Sequence, residues 1–231
     1  MKRTRADRWA VAAVALPTAE RADRERPFWQ ALVAAWGWRR VADAGCGAGF
    51  HLELLRELGV SAAGFDLAVA ALPRGALAVA GDLLSPPLRP RAFDAVLCLG
   101  NTLSLLAGRA VQRRALSALA ALVRPGGVVL LQGEDAGALV RQGPVVRTRT
   151  VAGGGVHVRV FEQHGRRVRM LAGVASGNRA ALEEAWLVPT GAADVRRLAR
   201  PVGLRGVDLP AQPPGGGLGW WVALSAPADV L

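Results

Sequence analysis

The sequence predicts an α/β chain, a doubly wound and mostly parallel sheet with helices on both faces, and three observations carry that reading. Residues 40–50, R-V-A-D-A-G-C-G-A-G-F, pass from a short apolar run through glycines at every second position into a helical stretch at 51–59. Residues 93–99, F-D-A-V-L-C-L, are apolar almost without a break, as a strand covered on both faces must be. Helical periods separate such strands, which is the connection a parallel sheet requires. With 231 residues, 52% of them hydrophobic, the chain can bury one full core.

In chain order, residues 1–38 read as a helical arm. Helices are expected at 4–16 and 27–36, joined by the mixed-charge link 20–26, with Pro27 in the first turn of the second helix. Trp9, Trp29, Trp36 and Trp38 read first as packing residues, and Trp29 is also a candidate substrate contact. Lys2, Arg3 and Arg5 before the apolar run 9–16 imitate a secretion leader. Asp7 and Arg8 abut that run, no small-x-small cleavage site follows it, and it is too short to span a bilayer, so an amphipathic helix is expected.

The first strand is placed at 39–44 and leads into Asp43, Gly45, Cys46, Gly47 and Gly49. Glycines there allow positive φ and a close ligand, while the unpaired N–H groups of the next helix face the same space. A dinucleotide fingerprint wants a small residue where Phe50 stands, so hydride chemistry with NAD is disfavoured. The second strand, 59–66, ends in Asp66, 21 residues past Gly45, where a carboxylate can accept both hydroxyls of a ribose. Asp66 also precedes a helix-like run beginning at Leu67 and could cap it. A third strand at 76–80 runs into Gly81-Asp82-Leu83, and Pro86, Pro87 and Pro90 mark a loop. The fourth strand ends at Leu99-Gly100-Asn101-Thr102, where Asn101 and Thr102 are candidates for polar contact and Asn101 alternatively for capping. A helix at 109–123 and the turn Arg124-Pro125-Gly126-Gly127 feed a fifth strand at 128–132.

Beyond Glu134 the alternation changes to period two. Val156, Val158 and Val160 fall on one face and His157, Arg159 and Phe161 on the other, with turns near 163–165 and 176–178, which predicts an antiparallel meander with one wet face. His157 reads as an exposed strand residue and His164 as a turn residue, or either as a base. A helix at 192–200 and strands at 204–209 and 218–225, joined through the glycine-proline stretch 213–217, complete the chain.

Asp43-x-Gly45-x-Gly47-x-Gly49, then Asp66, then Gly81-Asp82, then 93–102, then L-V-R-P-G-G-V-V-L-L together resemble the class I S-adenosylmethionine-dependent methyltransferases, in order and spacing, over residues 40–132. The resemblance implies a Rossmann-like, seven-stranded sheet and S-adenosyl-L-methionine as cofactor, held by Asp43, Gly45, Cys46, Gly47, Gly49, Asp66, Leu67, Asp82, Leu83, Leu99 and Gly100. It implies a methyltransferase domain at 39–231 in which 142–190 form an antiparallel lid sheet inserted after the fifth strand, as in glycine- and sarcosine-type N-methyltransferases. The arm would close over the acceptor. Asn101, Thr102, Trp29, Arg147 and Arg159 are the substrate-binding candidates, and no catalytic residue is assigned, because in-line methyl transfer asks the protein for position and desolvation.

Charge and cysteine content narrow the function. The formal charge of +11 divides into +5 over 1–40, zero over 41–140, +7 over 141–209 and −1 in the remainder, so the glycine-turn region is neutral. An RNA or other macromolecular methyltransferase is the alternative favoured by this charge alone, and a non-catalytic S-adenosylmethionine-binding module is the second. Base amino-methylation wants an acidic or amide residue followed by Pro-Pro and an aromatic, where this chain has Asn101-Thr102-Leu103. Cys98 lies inside the fourth strand, which argues against a cysteine nucleophile. Cys46 and Cys98 give neither a disulfide framework nor a metal-ligand spacing. A cytoplasmic enzyme acting on nitrogen or oxygen of a small, anionic metabolite, with no membrane contact and no metal, is the expectation.

Overall fold

The structure is a computed structural model that describes residues 4, 6, 8, 19–75, 77–151, 155–177, 179–215 and 217–228. The expected helix at 4–16, with Trp9, falls almost wholly outside them.

Helix α1 (Ala19–Trp36) precedes β1 (Arg40–Ala44), α2 (Phe50–Glu57), β2 (Ser61–Asp66), β3 (Ala78–Ala80) and β4 (Phe93–Cys98). Then come α3 (Arg109–Ala120), β5 (Val123–Glu134), the single turn α4 (Ala136–Leu139), β6 (Val145–Val151), β7 (Gly155–His164), β8 (Arg167–Ser176), β9 (Arg179–Leu187), α5 (Ala192–Ala199), β10 (Arg205–Val207) and β11 (Gly219–Ser225). The main sheet runs β10-β11-β5-β4-β1-β2-β3, and β6 to β9 form a separate antiparallel sheet in sequence order. Strands β3, β2, β1, β4 and β5 are parallel neighbours, while β11 enters antiparallel beside β5.

Successive side chains of the central strands point to opposite faces, and both faces are covered. Ala42, Val96, Cys98, Val129 and Leu131 pack with Ala115, Leu116 and Leu119 of α3 and Val195 of α5. On the other side Val41, Ala95, Leu97 and Leu130 pack with Phe28, Trp29 and Leu32 of α1 and Leu54 and Leu55 of α2. Asp94 ties the sheet's lower edge, accepting the Arg39 and Arg40 N–H groups at 2.7 and 2.8 Å and Arg124 Nε at 2.6 Å.

Three expectations are corrected. Residues 20–26 are not a link: α1 is one helix, and Pro27 lies in its interior. Proline there forfeits one backbone bond, but the segment is held by Arg21 and Glu25, paired at 2.7 Å one turn apart, and by Arg26 on Glu57 of α2 at 2.7 Å. Strand β5 starts at Val123 rather than 128, because Phe93 pairs with Val123 and Ala95 with Val128, so Arg124 to Gly127 bulge from a ladder that continues on both sides. Strand β6, polar and mostly exposed, falls within residues 142–190.

The orientation of that second sheet is the third correction. His157 is buried and Phe161 is 1% exposed, in a cluster with Val168, Met170, Leu187, Ala136 and Val140. The face bearing His157, Arg159 and Phe161 therefore turns toward the body of the molecule, and the valine face turns away.

Candidate active site

In the main sheet the strand order reverses between β1 and β4, and a cleft must open outside the carboxyl ends of the strands at such a point. A cavity of about 700 Å³ lies there, walled by the segments after β1, β2, β3 and β4, by α1 and α2, and by Arg159 and Met170 of the second sheet. That volume is of the size that encloses small molecules.

The glycine turn is shaped by contact on one side and space on the other. Gly45 and Gly47 have φ of 83° and 50°. A Cβ on Gly45 would stand 2.6 Å from Thr102 Cγ2, whereas one on Gly47 would meet nothing within 4 Å. Gly47 donates its N–H to Asp66 Oδ2 at 2.9 Å, and Ala68 donates to Asp66 Oδ1 at 2.8 Å. The Asp66 carboxylate is thus aimed by two backbone donors, and each oxygen keeps a lone pair for a further one. Asp82 is oriented similarly, accepting the Leu84 N–H at 2.9 Å.

Asp43, Gly45, Cys46, Gly47, Asp66, Leu67, Asp82, Leu83, Leu99, Gly100, Asn101, Thr102 and Arg159 all line the cavity. Three candidates do not. Gly49 ends the turn in the left-handed conformation, and its side-chain position is filled by Pro73 at 2.6 Å. Trp29 is fully buried among Phe28, His51 and Trp221 and donates Nε1 to Glu25 at 3.3 Å, so it supports the wall from behind and touches no substrate. Arg147 is drawn off to Glu134, which it grips with both terminal nitrogens at 2.9 and 2.7 Å.

Asn101 has a left-handed backbone and its side chain caps no helix. Its Oδ1 instead accepts the Glu134 N–H at 2.6 Å, while Gln132 Oε1 accepts the Gly100 N–H at 2.8 Å, so two amide side chains lock the end of β4 to β5. Thr102 donates to the Leu99 carbonyl at 2.6 Å. Behind this turn, buried Gln112 donates to the Leu103 carbonyl and to Thr190 Oγ1 at 3.1 and 3.0 Å. Arg109 reaches Gln112, Thr190, the Pro189 carbonyl and Asp194 at 3.0, 2.9, 2.8 and 2.8 Å. The exit of the second sheet and the turn after β4 are consequently pinned to the same helix.

Sequence reasoning missed a charged cluster at the opposite wall. His51 Nε2 lies 3.5 Å from Glu25 and 3.5 Å from Arg21, and Arg21 lies over the Phe50 ring at 3.9 Å. Burial alone would raise the Glu25 carboxyl, but hydrogen bonds from His51 and Arg21 hold it at about 2. Asp43 is different. His51 Nδ1 stands 3.9 Å from its Oδ2, which is buried without a hydrogen-bond partner. Burial, with the Asp66 charge adding to it and the His51 charge opposing, lifts Asp43 to about 6. Burial likewise raises both thiols, Cys98 to about 12, so neither is poised as a nucleophile. The i,i+4 spacing of Arg21 and Glu25 was a signal for this cluster; Gln132, Met170, Pro214 and Trp221, also on the cavity wall, had none.

On the second sheet, Arg159 faces the cavity and pairs across the strands with Arg147. Burial, reinforced by Arg147, Arg149 and Arg21 and opposed by Glu134, pulls its guanidinium below the usual value. Such a cation gains from any anion brought beside it.

Comparison with known proteins agrees with this architecture. The family model described as a methyltransferase domain matches residues 42–131. No curated protein matches the chain. Among solved structures, an amino pentose methyltransferase from Micromonospora echinaspora, with S-adenosylmethionine bound, is 27% identical with a TM-score of 0.61, covering 90% of this chain and 89% of its own. The CcbJ methyltransferase from Streptomyces caelestis has a TM-score of 0.75 at 23% identity, covering 98% of this chain and 99% of its own. A sugar N-methyltransferase from a Streptoalloteichus species has a TM-score of 0.69 at 24% identity, covering 89% and 88%.

Proposed function

We propose, for a chain that is a class I S-adenosylmethionine-dependent methyltransferase, that the methyl group goes to a nitrogen or oxygen of a small metabolite carrying an anionic group. The observation that carries this reading is Arg159, a guanidinium directed from the second sheet into the cavity that the glycine turn and Asp66 share.

The residues present suit the cofactor. The buried, unpartnered Asp43 oxygen offers an acceptor to a cationic ligand, and the space beside Gly47 admits one against the backbone. Asp66 would hold the ribose hydroxyls, with Leu67, Asp82 and Leu83 around the base and Leu99 and Gly100 beneath. When bound, S-adenosylmethionine supplies an electrophilic methyl on a sulfonium, so the protein's own task is to align an acceptor lone pair and keep water away. The Arg21–Glu25–His51 cluster keeps α1 against α2 on one side of the cavity. Arg159 would orient the acceptor through its anion, and Asn101 and Thr102 would stand at the acceptor end. We read the second sheet as the lid over that end and α1 as part of the arm. The amino pentose and sugar N-methyltransferases among the similar structures favour an amine as the attacking group.

The test is binding of a panel of amino, hydroxy and amino-sugar acids, and of short RNA, at two salt concentrations, with the demethylated cofactor present. An acid that binds, and that is methylated when S-adenosylmethionine replaces the demethylated cofactor, is expected, with Arg159→Met weakening its binding by about ten- to a hundredfold while cofactor affinity stays. Tight RNA binding that falls steeply with salt, with no acid bound, would overturn the small-acceptor reading.

A further inference from the structure

Strand β1 turns Val41 and Asp43 toward α1 and α2, which sets its one carboxylate among groups that cannot all satisfy it. The cross-strand neighbours of Asp43 are Gly64 and Leu97, and neither has a side-chain donor. Asp66 of β2 is a second carboxylate, already held by the Gly47 and Ala68 N–H groups. On α1, Arg21 and Glu25 offset each other at 2.7 Å, and Trp29 Nε1 donates to Glu25 as well. Cys46 and Cys98 stand nearby as thiols that burial keeps protonated. Among the described residues, His51 of α2 is the remaining partner. Its Nδ1 is 3.9 Å from Asp43 Oδ2, and its Nε2 is 3.5 Å from Glu25 Oε2. A neutral imidazole carries one N–H and one lone pair, so it serves one of these carboxylates and turns a lone pair on the other. With one further proton, on the ring or on Asp43, both ring nitrogens face a favourable neighbour.

We propose, on the cofactor fit described above, that in the empty cavity Asp43 and His51 hold one proton between them, which passes to solvent when the ammonium of the cofactor's amino-acid tail takes its place. His51 is then a positioning residue for cofactor binding. Asp43 lines the cavity, so a ligand lying beside Gly47 can reach its carboxylate. Burial makes the charge balance strict: the side chains of Asp43 and His51 are 2% and 14% exposed, and little water reaches either to screen a bare carboxylate. The same burial lifts the Asp43 carboxyl to about 6. A cation beside Asp43 favours its ionised form, so binding expels a proton below that pH and none well above it. S-adenosylhomocysteine keeps the tail ammonium and adenosine lacks it, so the two ligands separate the effect of charge from contacts to ribose and base.

Calorimetric titration of the full chain with S-adenosylhomocysteine, in two buffers of different ionisation enthalpy, measures the protons released. About half a proton per site is expected at pH 6, rising toward one at pH 5 and vanishing at pH 8. The dissociation constant should rise about tenfold from pH 7 to pH 5. Adenosine should bind with the same heat in both buffers. Asp43→Asn should abolish the release. His51→Gln keeps a neutral donor but removes the ring charge, which opposes the proton on Asp43, so half-maximal release should move up by about one pH unit. A ring that only packed would leave that midpoint where it is. Binding of S-adenosylhomocysteine with equal heats in both buffers from pH 5 to 7, or a release that Asp43→Asn leaves unchanged, would overturn the proposal while the cofactor fit stands. Failure of S-adenosylhomocysteine to bind at any pH would overturn the cofactor fit, and the proposal with it.

Discussion

Replacing Asp43 by Asn should stabilise the cofactor-free protein, and the gain should depend on pH in a fixed way. Asp43 sits at the end of β1 and is 2% exposed, with Asp66 of β2 and His51 of α2 facing it and Glu25 and Arg21 of α1 beyond. Its carboxyl is raised from 3.8 to about 6, with burial the first cause. A shift of roughly two units is worth about 3 kcal/mol at most. The sign follows from proton binding. Between pH 4 and 6 the native state holds a proton that the unfolded chain has released, so the Asp43 contribution is fully present below about 4 and is lost as pH rises through about 6. Asparagine has no such dependence, so the mutant's advantage should be smallest near pH 4, grow across that interval and level off above it at about 1 to 3 kcal/mol. Urea unfolding of both proteins at half-unit pH steps measures this difference directly. Glu25 should not obscure it, because its contribution, present above about 4.5 and lost as pH falls through about 2, is common to both proteins and cancels in the difference. A mutant advantage constant from pH 4 to 8, or a mutant less stable throughout, would refute the claim that Asp43 is a strained buried charge.

Three other outcomes are expected. Asp66→Ala should weaken S-adenosylmethionine binding by about 1.5 to 3 kcal/mol in a folded protein, as read by calorimetry; because Asp66 also anchors the Gly47 and Ala68 N–H groups, hydrogen exchange at both should quicken. NAD should not compete with the cofactor in the same titration, since Phe50 opens α2 where a pyrophosphate site needs a small residue. Gln112→Leu leaves the Leu103 carbonyl without its amide donor and removes a partner of Thr190, so it should cost about 2 to 3 kcal/mol in denaturant unfolding and loosen residues 101–106 in hydrogen exchange.

The parts of this molecule legible in its sequence are those decided by neighbours in the chain. A strand, a glycine turn and a helix follow one another within twenty residues, and the position of Asp66 is set by one crossover, so the glycine-turn end of the cavity could be read directly. The arm could not, because Pro27 signals a helix start on local grounds while Glu25, His51 and Trp29 stabilise the helix through contacts across the fold. Arg147 and Arg159 show the limit most clearly. They are cross-strand neighbours on one face, so alternation treats them alike. What separates them is Glu134 at the end of β5, which captures Arg147 and leaves Arg159 as the one of the pair directed into the cavity. Alternation also places Val156, Val158 and Val160 opposite His157, Arg159 and Phe161, but does not decide which set is inside. The usual inference puts valine inward because burial of apolar surface drives folding. Here Phe161, clustered with Val168, Met170 and Leu187, turns its side of the strand inward and carries His157 and Arg159 with it. Alternation could not supply that choice, because the residues that bury Phe161 stand on β8, β9 and α4 and not beside it in the chain.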